Sequence, residues 1–159
     1  MNQDLLRAEE LGIKLEIAGN LAIWEASPVY KHQKAVDRIR ESFKQLSASE
    51  CECLDVADVY VSFPDGSLMR PDISVFCTEP TEEEEAITQV PEAVIEVVSK
   101  RYEAKDLEIS PPIYLANGVK DVVVFDPYSM DVVHFTADGV ARSSSPTRIE
   151  LACGCSCEV

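Results

Sequence analysis

Residues 93–98 read Ala-Val-Ile-Glu-Val-Val, and residues 121–125 read Asp-Val-Val-Val-Phe. Near-continuous β-branched runs of this kind predict strands covered on both faces. The connector between them has helical length, with Ser110 placed as an N-cap, Pro111 at the first helical position and Asn117-Gly118 at the C-terminal stop. A buried strand, a helix and a second buried strand make a crossover unit inside a mixed sheet.

Upstream of this unit, Leu54–Phe63 predicts a strand ending in the turn Pro64-Asp65-Gly66-Ser67, and Ile73–Cys77 predicts another. The stretch from Glu79 to Glu85 is acidic, lacks apolar periodicity and predicts a solvent loop. Nearer the N-terminus, Asp4–Leu11 has helical spacing stopped by Gly12, and the runs 13–17 and 21–24 flank Gly19-Asn20 as a hairpin. Val36, Ile39, Phe43 and Leu46 give Tyr30–Leu46 an amphipathic helical pattern. Its other face carries Lys31, Lys34, Arg38, Arg40 and Lys44, five of the chain's 14 basic residues. Downstream, Asp126-Pro127-Tyr128-Ser129 turns the chain into a strand over 132–135, where His134 reads as structural. The expectation is one α/β (α+β) domain over residues 1–152, a mixed β-sheet flanked by helices, followed by a cysteine-rich tail over 153–159.

The chain has 159 residues, 14 basic against 29 acidic, for a formal charge of −15. That length suits one globular domain with a sizeable core. A surface this acidic repels phosphate backbones, so bulk attraction to DNA or RNA is excluded as a binding mode, and a local basic patch or a metal ion must offset the field. The first residues lack the basic-then-apolar layout of a secretory signal, and no apolar run approaches the ~20 residues of a membrane span. A soluble cytoplasmic protein is the expectation. Six cysteines, at 51, 53, 77, 153, 155 and 157, then read as thiols rather than as a disulfide framework. The C-x-C-x-C ending reads as a frayed tail with free thiols or as ligands for a thiophilic metal.

One charged residue interrupts the first buried run. An unpaired carboxylate at Glu96 would cost several kcal/mol or shift upward until it neutralised. Asp72, 24 residues earlier, stands just after Pro71 at the mouth of the preceding strand. Two carboxylates on neighbouring strands can share a divalent cation. The alternative is that Glu96 pairs with a cation such as Arg70 while Asp72 caps a turn. Spacing alone leaves both open.

Arg70-Pro71-Asp72-Ile73-Ser74-Val75, then Glu96-Val97-Val98-Ser99, then Gly118-Val119-Lys120-Asp121 and Phe125-Asp126-Pro127 resemble the Uma-two family of restriction-endonuclease-like proteins, a branch of the PD-(D/E)xK superfamily. Leu15–Leu21 resembles that family's opening hairpin, and Ser27-Pro28 with His32 resembles the entry to its first long helix. The resemblance runs from about Leu11 to Phe135. It implies a restriction-endonuclease-like fold and a metal-dependent phosphodiesterase acting on DNA. It also implies Asp72 and Glu96 as ligands of Mg²⁺ or Mn²⁺, with the Val97 carbonyl as a third. Glu16 and His32 are further family-matched polar positions with a substrate-binding role, although the alternation around Glu16 also suits a side chain facing water.

The superfamily's lysine two residues after the glutamate is missing, because position 98 is valine. Members of this branch take a lysine from the following helix instead, where an ungapped reading places Ser110 beside Pro111-Pro112. Lys100 and Lys105 remain as catalytic candidates, with Lys100 roughly 13 Å along an ideal strand from Glu96. Asp106 falls where the family keeps an acidic residue. The missing lysine, the double proline and the −15 charge support an alternative: a non-catalytic member that forms a homodimer or binds a partner protein.

Overall fold

In the computed structural model, which describes residues 3–25, 27–82 and 84–159, the crossover unit is present. Strand β8 (Ala93–Val97) pairs in parallel with β9 (Asp121–Phe125), Glu96 standing opposite Val124. Around them a six-stranded mixed sheet runs in the order β11-β10-β9-β8-β7-β4, with β4 at Leu54–Ala57, β7 at Ile73–Phe76, β10 at Asp131–Thr136 and β11 at Gly139–Ser144. Every other pair in this sheet is antiparallel.

Both faces of β8 are covered, which is why its sequence is apolar at consecutive positions. Ala93, Ile95 and Val97 belong to a core formed with Ala35, Val36 and Ile39 of helix α2 (Tyr30–Glu41). Val94 and Val98 belong to the opposite core, with Tyr114 of helix α3 (Ser110–Ala116). Glu96 therefore projects to the α3 side. A second sheet, β2-β1-β6-β5, holds the hairpin of β1 (Lys14–Ala18) and β2 (Leu21–Glu25) together with β5 (Val61–Ser62) and β6 (Leu68–Met69). Helix α1 (Gln3–Glu10) buries Leu5 and Ala8 beside Leu15 of β1. No helix of the described residues is long and apolar enough to cross a membrane.

Four local expectations are corrected. Helix α2 stops at Glu41 rather than at Leu46, because Lys44–Gln45 leave it to form β3 and pair with β13 (Cys155–Glu158). The strand expected over 54–63 is two strands, broken where Asp58 takes a left-handed φ of 57° and its amide donates to the Asp72 carbonyl. Ser110 is not an N-cap. The helix has already begun at residue 103 and passes through a π-helical segment, Lys105–Ile109, so Ser110 lies buried within a continuous helical run.

The fourth correction concerns the C-terminus. Residues 153–159 are not a frayed tail, because β13 pairs with β12 (Arg148–Leu151) and β3 in a third sheet. Cys155, Cys157 and Val159 are buried in the α2-side core. Disulfides join Cys51 to Cys77 and Cys53 to Cys155, against the all-thiol expectation, and Cys153 and Cys157 are free. The acidic loop after β7 lacks regular structure apart from a bridge at Ile87, and its Glu83 lies outside the described residues, as do Met1 and Asn2 of the N-terminal reading.

Candidate functional site

The register of β7 and β8 sets Ile73 against Ile95, which places Asp72 across from Glu96. Residues directly opposite in an antiparallel pair project from the same face. The two carboxylates are laced together through the backbone. The Asp72 amide donates to Glu96 Oε2 at 3.2 Å, and the Val97 amide donates to Asp72 Oδ2 at 2.8 Å. Glu96 makes no ion pair with Arg70, whose guanidinium is 2.9 Å from Asp58 Oδ1 instead. The Tyr114 hydroxyl donates to Glu96 Oε1 at 2.6 Å.

The hairpin brings a second group against this pair. Glu16, fully buried rather than facing water, accepts the Arg70 amide on Oε1. Its Oε2 lies 2.7 Å from Lys105 Nζ. The same ammonium is 2.9 Å from Glu25 Oε1 and 3.3 Å from Asp106 Oδ1. Lys105 enters because the π-helical segment carries it and Asp106 inward at adjacent positions, both buried. A π turn holds one residue more than an α turn and commonly marks functional sites. Lys100 is exposed on the turn after β8 and is not brought into this group. His32, buried on α2, has Nε2 3.2 Å from Asp72 Oδ2, and Lys14 lies 3.7 Å from Asp72 Oδ1 and 3.8 Å from Glu25 Oε2.

Five buried carboxylates, Glu16, Glu25, Asp72, Glu96 and Asp106, thus face two ammonium groups and one imidazole. The imbalance is legible in their proton affinities. Burial pushes Glu96 well above the usual carboxylate range despite Lys105, with the charges of Asp72 and Asp106 adding to the rise. Burial pushes Asp106 up to about 7 against the pull of Lys105. Asp72 goes the other way, because Lys14 and the His32 hydrogen bond outweigh the effect of burial and hold it far down. Burial alone would lower the Lys105 ammonium, yet Glu96, Glu16 and Asp106 raise it well above an ordinary lysine. His32 is likewise raised, its hydrogen bond to Asp72 overriding burial. A cavity of about 400 Å³ opens onto the group, lined by Lys14, Glu25, His32, Arg70 and Asp72 among others. Glu96 and Lys105 do not line it; they contact lining residues, Glu96 through the Asp72 amide and Lys105 through Glu25.

A family model described as "Putative restriction endonuclease", Uma2, matches residues 3–151. The chain belongs to the Uma2 family. The match contains all eight residues of the carboxylate and cation group and extends beyond the 11–135 stretch that the motifs marked. A crystal structure at 1.96 Å resolution of "a putative nuclease belonging to DUF820" from Anabaena variabilis ATCC 29413 shares the fold, with a TM-score of 0.66. It is 18% identical, and the alignment covers 86% of this chain and 80% of that one. No curated protein matches the chain. Within this Uma2 chain the structure brings Asp72, Glu96, Val97, Glu16, His32 and Lys105 together. Reading the sequence for function missed Lys14, Glu25 and Tyr114. The hairpin held a signal for the first two, since Lys14 and Glu25 are register partners. Tyr114 gave none beyond its place in the crossover helix. His134 Nε2 lies 2.7 Å from Asp121 Oδ1.

Proposed function

We propose that this Uma2 protein is a metal-dependent nuclease that hydrolyses phosphodiester bonds in DNA. The observation that carries the reading is the charge imbalance: five buried carboxylates against two ammonium groups, with Lys14, Glu25 and Asp72 of this group lining an open cavity. The donors are hard oxygens, which suit Mg²⁺ or Mn²⁺ and not a thiophilic ion. Asp72 and Glu96 would hold the ion, with the Val97 carbonyl as a third donor. When bound, such a cation would supply charge for the phosphate oxygens and lower the pKa of a coordinated water.

The chain's own residues would do the rest. Lys105 takes the place of the lysine absent at position 98, and Glu16, Glu25 and Asp106 fix its ammonium in one position. A positive charge held this way stabilises negative charge developing nearby without reorganising during the reaction. Tyr114 and the Asp72 amide clamp the two Glu96 oxygens. Lys14, on the cavity wall, offers a donor to a phosphate, and a protonated His32, its ring nitrogens held by Gln33 and Asp72, adds positive charge beside it, which offsets locally the repulsion expected from the −15 charge.

Supercoiled plasmid and single-stranded oligonucleotides incubated with protein and Mg²⁺ or Mn²⁺ test the reading. Cutting is expected with either cation, absent with chelator, and lost in Glu96→Ala and Lys105→Met. A folded, cation-binding protein that cuts neither DNA nor RNA would remove the catalytic reading. It would favour the non-catalytic alternative, a homodimer or protein-binding module on the same fold.

A further inference from the structure

Five of the six cysteines meet at one place, on the far side of the main sheet from α3. Cys51 and Cys53 lie between β3 and β4, Cys77 follows β7, and Cys153 and Cys155 flank the turn into β13. The two disulfides, Cys51–Cys77 and Cys53–Cys155, lie side by side, with Cys51 Sγ 3.5 Å from Cys155 Sγ. The sulfurs of Cys51, Cys153 and Cys155 all fall within 4.8 Å of one another. Cys157, two residues on, is outside this group.

Backbone contacts as well as sulfur hold this convergence. Gly154 has φ +99°, a conformation that suits glycine, and lets Cys153 and Cys155 flank a tight turn. A Cβ at Gly154 would stand 2.8 Å from Ser49 Cβ, so the turn is pressed against the segment carrying Cys51 and Cys53. The Leu46 amide donates to the Gly154 carbonyl at 2.9 Å and pins it there.

Four thiolates around a tetrahedral zinc, each at about 2.3 Å, stand about 3.8 Å apart. The 3.5 Å between Cys51 and Cys155 Sγ is close to that value, and Cys153 Sγ lies within 4.8 Å of both. We propose that the reduced cluster binds one Zn²⁺, with Cys51, Cys153 and Cys155 as three ligands and Cys53 or Cys77 as the fourth. The disulfides are the oxidised form of the same cluster. In going from one to the other, a dithiol reductant gives two electrons and two protons to each disulfide and becomes a disulfide itself. Zinc then displaces four protons as four thiols become thiolate ligands. Such a centre ties the C-terminal hairpin to the segment between β3 and β4 that carries Cys51, and it is the form suited to a reducing compartment. Softness separates it from the carboxylate group, which favours hard cations. It does not rest on the nuclease reading.

The test is cobalt titration of the full chain, reduced with a phosphine under argon, followed by zinc back-titration. One equivalent of Co²⁺ should give the sulfur-to-cobalt and visible bands of a tetrahedral thiolate site, and Zn²⁺ should bleach them. Cys153→Ser, which leaves both disulfide pairs intact, should weaken zinc binding by more than about tenfold. Cys157→Ser should match wild type. Circular dichroism of each reduced variant separates ligand loss from unfolding, and native mass spectrometry should give one zinc per reduced chain. Reduced, folded protein without thiolate bands, or Cys153→Ser binding as tightly as Cys157→Ser, would overturn the proposal.

Discussion

Replacing Lys105 by methionine keeps most of the side-chain volume and removes only the ammonium. In the structure that ammonium contacts Glu16 at 2.7 Å, Glu25 at 2.9 Å and Asp106 at 3.3 Å, and its side chain is 4% exposed. The variant leaves five buried carboxylates facing Lys14 and His32 alone. Removing one partner of a buried ion pair costs about 3–5 kcal/mol, because the charges left behind stay uncompensated. For a chain of this size that is a fall in melting temperature on the order of 6–20 °C. Urea denaturation of wild type and Lys105→Met, with matched m-values, measures it. The double variant Lys105→Met/Glu16→Gln should recover at least about 1 kcal/mol of the loss, since contacting charges couple at roughly 0.5–3 kcal/mol. A loss below about 1 kcal/mol, the level of a surface ion pair, with no recovery in the double variant, would refute the buried placement of Lys105.

Three further outcomes are expected. Tyr114→Phe removes the only side-chain hydrogen bond to Glu96 among the described residues and should cost about 1–3 kcal/mol in thermal or chemical denaturation. Without divalent cations, stability should fall as pH rises from about 5 to 8, because Glu96, Asp106 and His32 each hold a proton more readily folded than unfolded. Asp72 titrates in the opposite sense, but its contribution is lost only below its ordinary range near 3.8. Melting curves at pH 5.5 and 8 check this, and a curve that climbs with pH would contradict it. Gly154→Ala should destabilise the protein by more than about 1 kcal/mol, since it combines a left-handed φ with a collision at Ser49. Denaturation equal to wild type would show that the turn relaxes freely.

How much of this was legible depended on the range of each interaction. The β8–helix–β9 unit came from two local apolar runs, and Glu96 stood out because nothing beside it in sequence was polar. Asp72 followed from its place at the preceding strand's mouth. Glu16 was ambiguous, because its burial comes from Lys105 and the amide of Arg70, 89 and 54 residues away by number. Lys105 was set beside Lys100 as a candidate and no more, since counting along an α-helical connector pointed to Ser110. The π-helical segment changes which residues of the connector face inward, and propensity does not announce such a turn. The C-terminal cysteines read locally as a tail. The strand they form is held from far away in sequence, with Cys155 bonded to Cys53 across a separation of 102.

Calorimetric titration with Mn²⁺ of wild type, Asp72→Ala and Glu96→Gln, each shown to be folded and with its cysteines oxidised, bears most directly on the carboxylate pair. Wild type should take up the ion with a saturable heat that both variants lose. Three indistinguishable titrations would mean that these strands carry their acidic residues for some other purpose.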